Sequence, residues 1–276
     1  MTTYQGFTVT EHDDGVRLIT FSRPERLNAM TQGLKRDLIE YVTAAQMDDA
    51  VRVLVFTGSG RAFCSGDNIG SGAGYRTPPD TVPAIAPGHD SALGTVNGLR
   101  VYSQGLNVAL RNLDKLTVAA LNGPAVQTGL SLALSCDFRV ASTDARLGSA
   151  TLRFGLMPDE GGHALLLQQL GLGRTLDFLL RKRIVDAHEA HDLGLVHEVT
   201  TPDELLPRAL ALASELANGP QASMRMLKRA VYVAADATFA NALEDIALRT
   251  GMTDHHPDVR EGMAAFREKR PPQFNG

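Results

Sequence analysis

The sequence predicts an α/β core that carries a helical C-terminal third. Three observations carry that expectation. Strand-like and helix-like runs alternate twice over residues 16–142, and the strand-like runs are continuously apolar, as in strands covered on both faces. After Asp159 the chain shows apolar residues at three- and four-residue spacing in segment after segment.

The run VRLITF, Val16–Phe21, alternates, is β-rich and is closed by Arg23 and Pro24, so it reads as a strand followed by a turn. Thr31 then caps an amphipathic helix in which Leu34, Leu38, Ile39 and Val42 recur at helical spacing. VRVLVFTG (51–58) is the next strand, and strand–helix–strand predicts a right-handed crossover. The order repeats as strand 116–123, helix 129–136 and strand 138–142. Helices follow at 163–171, 174–181, 186–193, 203–217, 220–235, 238–250 and 257–267. Residues 1–200 are thus expected to form the α/β core and 201–276 a helical C-terminal region. Between the two repeats, residues 70–94 are dense in Gly and Pro; such a stretch is expected to hold no regular structure and to act as a lid.

Composition narrows the function. The chain has 276 residues, 43% hydrophobic and 21% charged, which places it with soluble globular proteins and is ample for a large core. A net charge of −4 offers no basic footprint, so a nucleic-acid partner is not expected. Cys64 and Cys136 match no metal or redox spacing and read as reduced buried thiols of a cytoplasmic protein. The N-terminus MTTYQGFTV has neither a basic nor an apolar region of the signal-peptide kind. Residues 116–136 carry no charge and reach the roughly 20 residues that span a bilayer. Asn122-Gly123-Pro124 and Gln127-Thr128-Gly129 interrupt them, which favours a strand, a turn and a buried helix over a membrane span.

Three segments could carry chemistry. RAFCSGDNIG (61–70) directly follows a buried strand, and ligands bind at the carboxyl ends of parallel strands. NGPAVQTGLSLAL (122–134) runs through a turn into a helix, so the amides near Gln127, Thr128 and Gly129 lie at a helix N-terminus, which suits a developing oxyanion. FGLMPDEGG (154–162) sets Asp159 and Glu160 side by side before an apolar helix; acids there are also what capping and the helix dipole favour. His163 and His89 have no visible partners, and Arg61 reads equally as a phosphate contact or a solvated side chain.

Taken together, SRPERLNAM (22–30), FTGSGRAFCSGDNI (56–69), AALNGPAVQTGLSLALSCDFRVAS (119–142), FGLMPDEGG (154–162), DAHEAHDLGLVHEV (186–199) and FREKRPPQF (266–274) resemble the crotonase, or enoyl-CoA hydratase/isomerase, superfamily. The resemblance implies a crotonase-like spiral of ββα units and a helical C-terminal region that forms homotrimers or hexamers built as dimers of trimers. It implies coenzyme A as part of an acyl-CoA thioester substrate, with no metal and no other cofactor. The family's oxyanion hole falls on the backbone amides of Asp67 and Thr128. Its coenzyme A and substrate contacts fall on Arg26, Leu27, Ala29, Ser65, Gly66, Asp67, Asn68, Ile69, Gly129 and Thr151.

The departures from the family pattern decide more. Its hydratases carry two glutamates where this chain has Ser131 and Thr151, and neither side chain is an acid or base near neutral pH. Asp159 falls instead where dienoyl-CoA isomerases, and relatives that isomerise aromatic-pathway CoA esters, place a catalytic aspartate. The resemblance therefore implies double-bond isomerisation with Asp159 as acid/base. Glu160 is expected either to share that work or to raise the Asp159 pKa by like-charge repulsion. Gln127 and Thr128 stand where the family has glycines and are expected to narrow the pocket. Hydration by Asp159 and Glu160 together, CoA-ester hydrolysis, C–C bond cleavage and non-catalytic acyl-CoA binding are the alternatives.

Overall fold

The computed structural model describes residues 4–68 and 91–275. The Gly/Pro-rich expectation, together with Ile69 and His89, falls largely outside these residues. What can be corrected is its end: α2 occupies Ala92–Gly98, because Ser91 Oγ accepts from Gly94 N at 3.1 Å and caps it.

Strands β1 (Phe7–Glu11) and β2 (Val16–Phe21) form an antiparallel pair, and α1 (Gln32–Met47) follows. Thr31 caps α1 as expected, its hydroxyl accepting from Leu34 N at 3.1 Å. Next come β3 (Val53–Gly58), α2, a π turn at Leu99–Ser103, α3 (Gln104–Asn112) and β4 (Leu116–Leu121). Here the strand expected to run through 123 stops short. Asn122 Oδ1 accepts from Gly58 N at 3.0 Å, and a Cβ at Gly123 would stand 2.2 Å from the Arg61 carbonyl. The chain therefore turns out of the sheet into β5 (Pro124–Val126) before α4 (Thr128–Ser135) and β6 (Phe138–Ser142). Then come β7 (Arg146–Gly148), α5 (Gly162–Leu180), broken at Gly171 where two helices are expected, β8 (Ile184–Asp186), α6 (Ala187–Asp192) and β9 (Glu198–Thr200). Helices α7 (Pro202–Ala217), α8 (Gln221–Ala234), α9 (Phe239–Thr253) and α10 (Pro257–Glu268) complete the chain.

Among the described residues, one sheet has the order β1-β2-β3-β4-β6-β9, parallel from β2 onward, and a second has the order β5-β7-β8. Alternation explains the apolar runs. Ile19, Phe21, Leu54, Phe56, Ala119 and Leu121 face a core built with α1, α3, α4, α5 and α6. Leu18, Val53, Val55, Val118 and Val140 face the opposite way, onto Leu205, Ala209, Leu212 and Leu216 of α7. Both faces are buried, so the strands are largely apolar, and polar residues such as Thr57 and Thr117 are buried with hydrogen-bond partners. This arrangement of ββα turns capped by helices is the crotonase fold. No helix among the described residues is long and apolar enough to cross a membrane.

Candidate active site

The site is assembled where the loop after β3 is sewn to two neighbours. On one side Met30 N donates to Gly66 O and Asn68 N to Met30 O, both at 2.9 Å. That pairing sets the Asp67 amide on the face turned away from residue 30. On the other side Cys64 N donates to Pro124 O at 3.0 Å and Val126 N to Cys64 O at 2.9 Å, which docks the loop on β5. The following α4 begins at Thr128, and its first amides have no intrahelical acceptor. A Cβ at Gly129 would lie 2.2 Å from Cys64 O, so only glycine lets the helix start approach this closely. The Asp67 and Thr128 side chains meet, with Thr128 Oγ1 2.7 Å from Asp67 Oδ1. Asp67, Thr128, Gly66 and Gly129 are thus brought together as expected from their motifs.

Gln127, just before the helix, has φ 54° and ψ −110°, a conformation costly for a side chain with a Cβ. Its amide compensates: Nε2 donates to Glu160 Oε2 at 2.7 Å, and Oε1 accepts from Ser149 Oγ at 2.9 Å. The side chains of Gln127 and Thr128 therefore turn onto Glu160. Glu160 is 2% exposed and also lies 2.9 Å from Thr128 Oγ1. Its neighbour Asp159 is half-buried. Helix α3 fixes the backbone of both acids, Gln104 Nε2 donating to Asp159 O at 3.0 Å and Asn107 Nδ2 to Glu160 O at 2.9 Å. Gly161, not Asp159, occupies the cap position of α5, so the capping explanation of Asp159 does not hold.

Electrostatics separates the two acids from ordinary carboxylates. Burial, and then the negative charge of Asp67, push the Asp159 pKa up, while Lys35 acts against them. The like charges of Asp159 and Glu160 oppose one another, and the effect falls on Glu160. Glu160 is raised by burial first and by Asp159 and Asp67 after it. The cation of the site, Lys35 on α1, reaches Asp67 at 2.7 Å and donates to Ser103 Oγ at 2.8 Å.

Ser131 lies in α4 with its hydroxyl 2.4 Å from where a Cβ on Gly162 would be, so this small side chain fills the contact between α4 and α5. Thr151 opens a 3-10 turn, and its hydroxyl is buried without a partner among the described residues. The proposed coenzyme segments adjoin one another. Buried Asn28 donates to Ser59 O and Ala62 O at 3.0 and 2.7 Å, and Ser65 N donates to Leu27 O at 3.1 Å. Arg26 and Arg61 are exposed, Leu27 and Ser65 half-buried, and Ala29 buried; His163 is exposed on α5. Sequence reasoning missed Lys35, Gln104, Asn107 and the structural part of Asn28.

The match to known proteins extends along the whole chain. The family model for enoyl-CoA hydratase/isomerase matches residues 11–86 and 89–276. The 1,2-epoxyphenylacetyl-CoA isomerase of Escherichia coli is 32% identical over 98% of this chain and 98% of its own. The crotonyl-CoA hydratase of Syntrophomonas wolfei is 29% identical over 96% of each. A crystal structure of an enoyl-CoA hydratase from Bacillus anthracis superposes with a TM-score of 0.88 at 26% identity, covering 99% of this chain and 100% of that one. With fold, motifs and relatives in agreement, the chain belongs to the enoyl-CoA hydratase/isomerase family and is an enzyme of that family.

Proposed function

We propose that the chain isomerises a double bond in an acyl-CoA thioester, with Asp159 as the acid/base. The thioester carbonyl accepts hydrogen bonds from the Asp67 and Thr128 amides, so charge developing on its oxygen meets preorganised donors. A C–H bond at the α-carbon, or a vinylogous one, breaks, and its proton bonds to an Asp159 carboxylate oxygen. The electron pair moves into the enolate, and the proton returns at another carbon of the conjugated system. The coenzyme portion lies along segments 22–30 and 61–69.

The observation that carries this reading is the placement of acids. The two positions where hydratases of the family hold glutamates are Ser131 and Thr151, and the acids this chain offers instead are the half-buried Asp159 and its neighbour Glu160, whose Oε1 lies 2.9 Å from Thr128 Oγ1. A relative named for an isomerase supports the same choice. Hydration is the second reading, favoured by the adjacency of Asp159 and Glu160, since two carboxyls can position and activate water. The test is turnover of enoyl-CoA and dienoyl-CoA esters in heavy-oxygen water by wild type and Asp159→Asn. Expected is double-bond migration without oxygen incorporation, with kcat lowered roughly 10²- to 10⁴-fold in the variant. Rapid oxygen incorporation that survives Asp159→Asn would overturn both the residue and the reaction.

The helical C-terminal region is read as the surface on which copies associate into trimers or dimers of trimers. Helix α9 buries none of its residues within the chain and exposes Phe239, Leu243, Leu248 and Met252. Sedimentation equilibrium giving a stable monomer at micromolar concentration would exclude this assembly.

A further inference from the structure

Thr128 stands between two carboxyl groups, and its chemistry restricts their protons. Its hydroxyl oxygen is 2.7 Å from Asp67 Oδ1 and 2.9 Å from Glu160 Oε1. A hydroxyl has one proton to donate. With both acids ionised, one of the two contacts would press oxygen lone pairs together at hydrogen-bond distance, with no proton between them. Both contacts are satisfied only when one carboxyl is neutral.

The surroundings select which one. Asp67 lies against the Lys35 ammonium, whose Nζ is 2.7 Å from Oδ1 and 2.9 Å from Oδ2. Glu160 is 2% exposed and forms no ion pair among the described residues. Its Oε2 accepts from the Gln127 amide at 2.7 Å, and its Oε1 faces the Thr128 hydroxyl. One oxygen accepts from an N–H, and the other faces a hydroxyl whose single proton also lies within reach of Asp67 Oδ1, so a proton on Glu160 fills the contact that the hydroxyl proton leaves. The titratable groups around it favour the same form. Asp159 and Asp67 oppose a charge on it, Lys35 is engaged by Asp67, and the buried Cys64 thiol is pushed up to about 12 and stays neutral. From α3, Gln104 and Asn107 meet the two acids at their backbone carbonyls.

We propose that Thr128 is a positioning residue that keeps Glu160 as a neutral acid, the Glu160 proton passing to Thr128 Oγ1 and the Thr128 proton to Asp67 Oδ1. This deepens the assignment of Asp159 as base and rests on it. With Asp67 balanced by Lys35 and Glu160 neutral, Asp159 carries the one uncompensated negative charge of the cluster. When the substrate C–H bond breaks, its proton neutralises Asp159 while the electron pair charges the thioester oxygen. Charge then moves from the base to the oxyanion, with no second carboxylate opposing it.

The test reads the proton directly and does not depend on turnover. Infrared spectra of the whole enzyme near pH 7 are expected to show the C=O stretch of a neutral carboxylic acid that is lost in Glu160→Gln and retained in Asp159→Asn. In Thr128→Val, which keeps the backbone amide, the pH at which this band disappears should fall by about one unit, the worth of one hydrogen bond. Thr128→Ser should restore it. A wild-type enzyme without the band, or an upward movement in Thr128→Val, would overturn the proposal. Full turnover by Asp159→Asn with the band intact would instead remove the base assignment and leave the neutral Glu160 in place.

Discussion

Two buried acid clusters lie at opposite ends of the parallel strands, one at the starts of β4 and β6 and one beyond the ends of β3 and β4, and they are built by different rules. At the start of β6, Asp137 accepts from Thr117 N at 2.8 Å, Thr117 Oγ1 at 2.9 Å, Lys228 Nζ at 2.9 Å and the Tyr232 hydroxyl at 2.6 Å. One carboxylate meets one ammonium, and its lone pairs are filled. Lys228 in turn donates to Lys115 O at 2.8 Å, and the Arg111 guanidinium lies 3.7 Å from the centre of the Tyr232 ring. In the active site three carboxyls, Asp67, Asp159 and Glu160, share Lys35. The first cluster spends its polar groups on holding α8 to the sheet; in the second, burial first and neighbouring negative charge after it raise the pKa values of Asp159 and Glu160. A saturated carboxylate is structural, and an under-compensated set retains protons to move.

The comparison can be broken at either end. The largest expected effect is on folding: Asp137→Ala leaves the Lys228 ammonium buried and unpaired, and should cost about 3–5 kcal/mol in denaturant unfolding. Activity per folded molecule should stay unchanged. If stability is retained, or if kcat of the folded fraction falls with it, the two clusters are not separate in role. Next in size is Gly129→Ala. Its Cβ would meet the Cys64 carbonyl at 2.2 Å, which forces the start of α4 away from the loop that presents the Asp67 amide. Losing one oxyanion donor typically lowers kcat about 10²- to 10³-fold. Steady-state kinetics within a few-fold of wild type would show that the two amides do not work as a pair.

How much of this was legible in the sequence follows from length and period. Residues 16–21 and 138–142 are strands with the expected ends, and the expected helices after Asp159 match the observed ones closely. Strands β5, β7, β8 and β9 have three residues each, too few to show any alternation, and their pairing is set by tertiary docking. Helix α3 was also missed, entered through a π turn. In the site, Gly66, Asp67, Thr128 and Gly129, which the motifs carry, lie together, and the residues on helices without a motif did not announce themselves. Lys35 did leave a trace. It lies one residue after Leu34 and three before Leu38, on the buried side of α1, where an uncompensated cation is costly. No comparable signal marks Gln104 or Asn107, whose roles depend on which backbone carbonyls fold back onto α3.

The smallest expected effect sharpens the comparison on the side of the active site, through the pH dependence of stability. Burial and neighbouring negative charge raise the folded pKa of Glu160, so folding favours its protonated form. Stability from this source is fully present below the ordinary carboxylate range and is lost as pH rises through the raised folded value. Glu160→Gln removes the titration while keeping an oxygen to accept from Gln127 and an N–H to reach Thr128. Thermal unfolding of variant and wild type should therefore be similar at about pH 5. The variant should become the more stable of the two toward about pH 8, because wild type alone must then ionise a buried acid. A gap that narrows or reverses as pH rises would mean that Glu160 is held as a stabilised carboxylate, on the pattern of Asp137, and the contrast between the two clusters would fail at that residue.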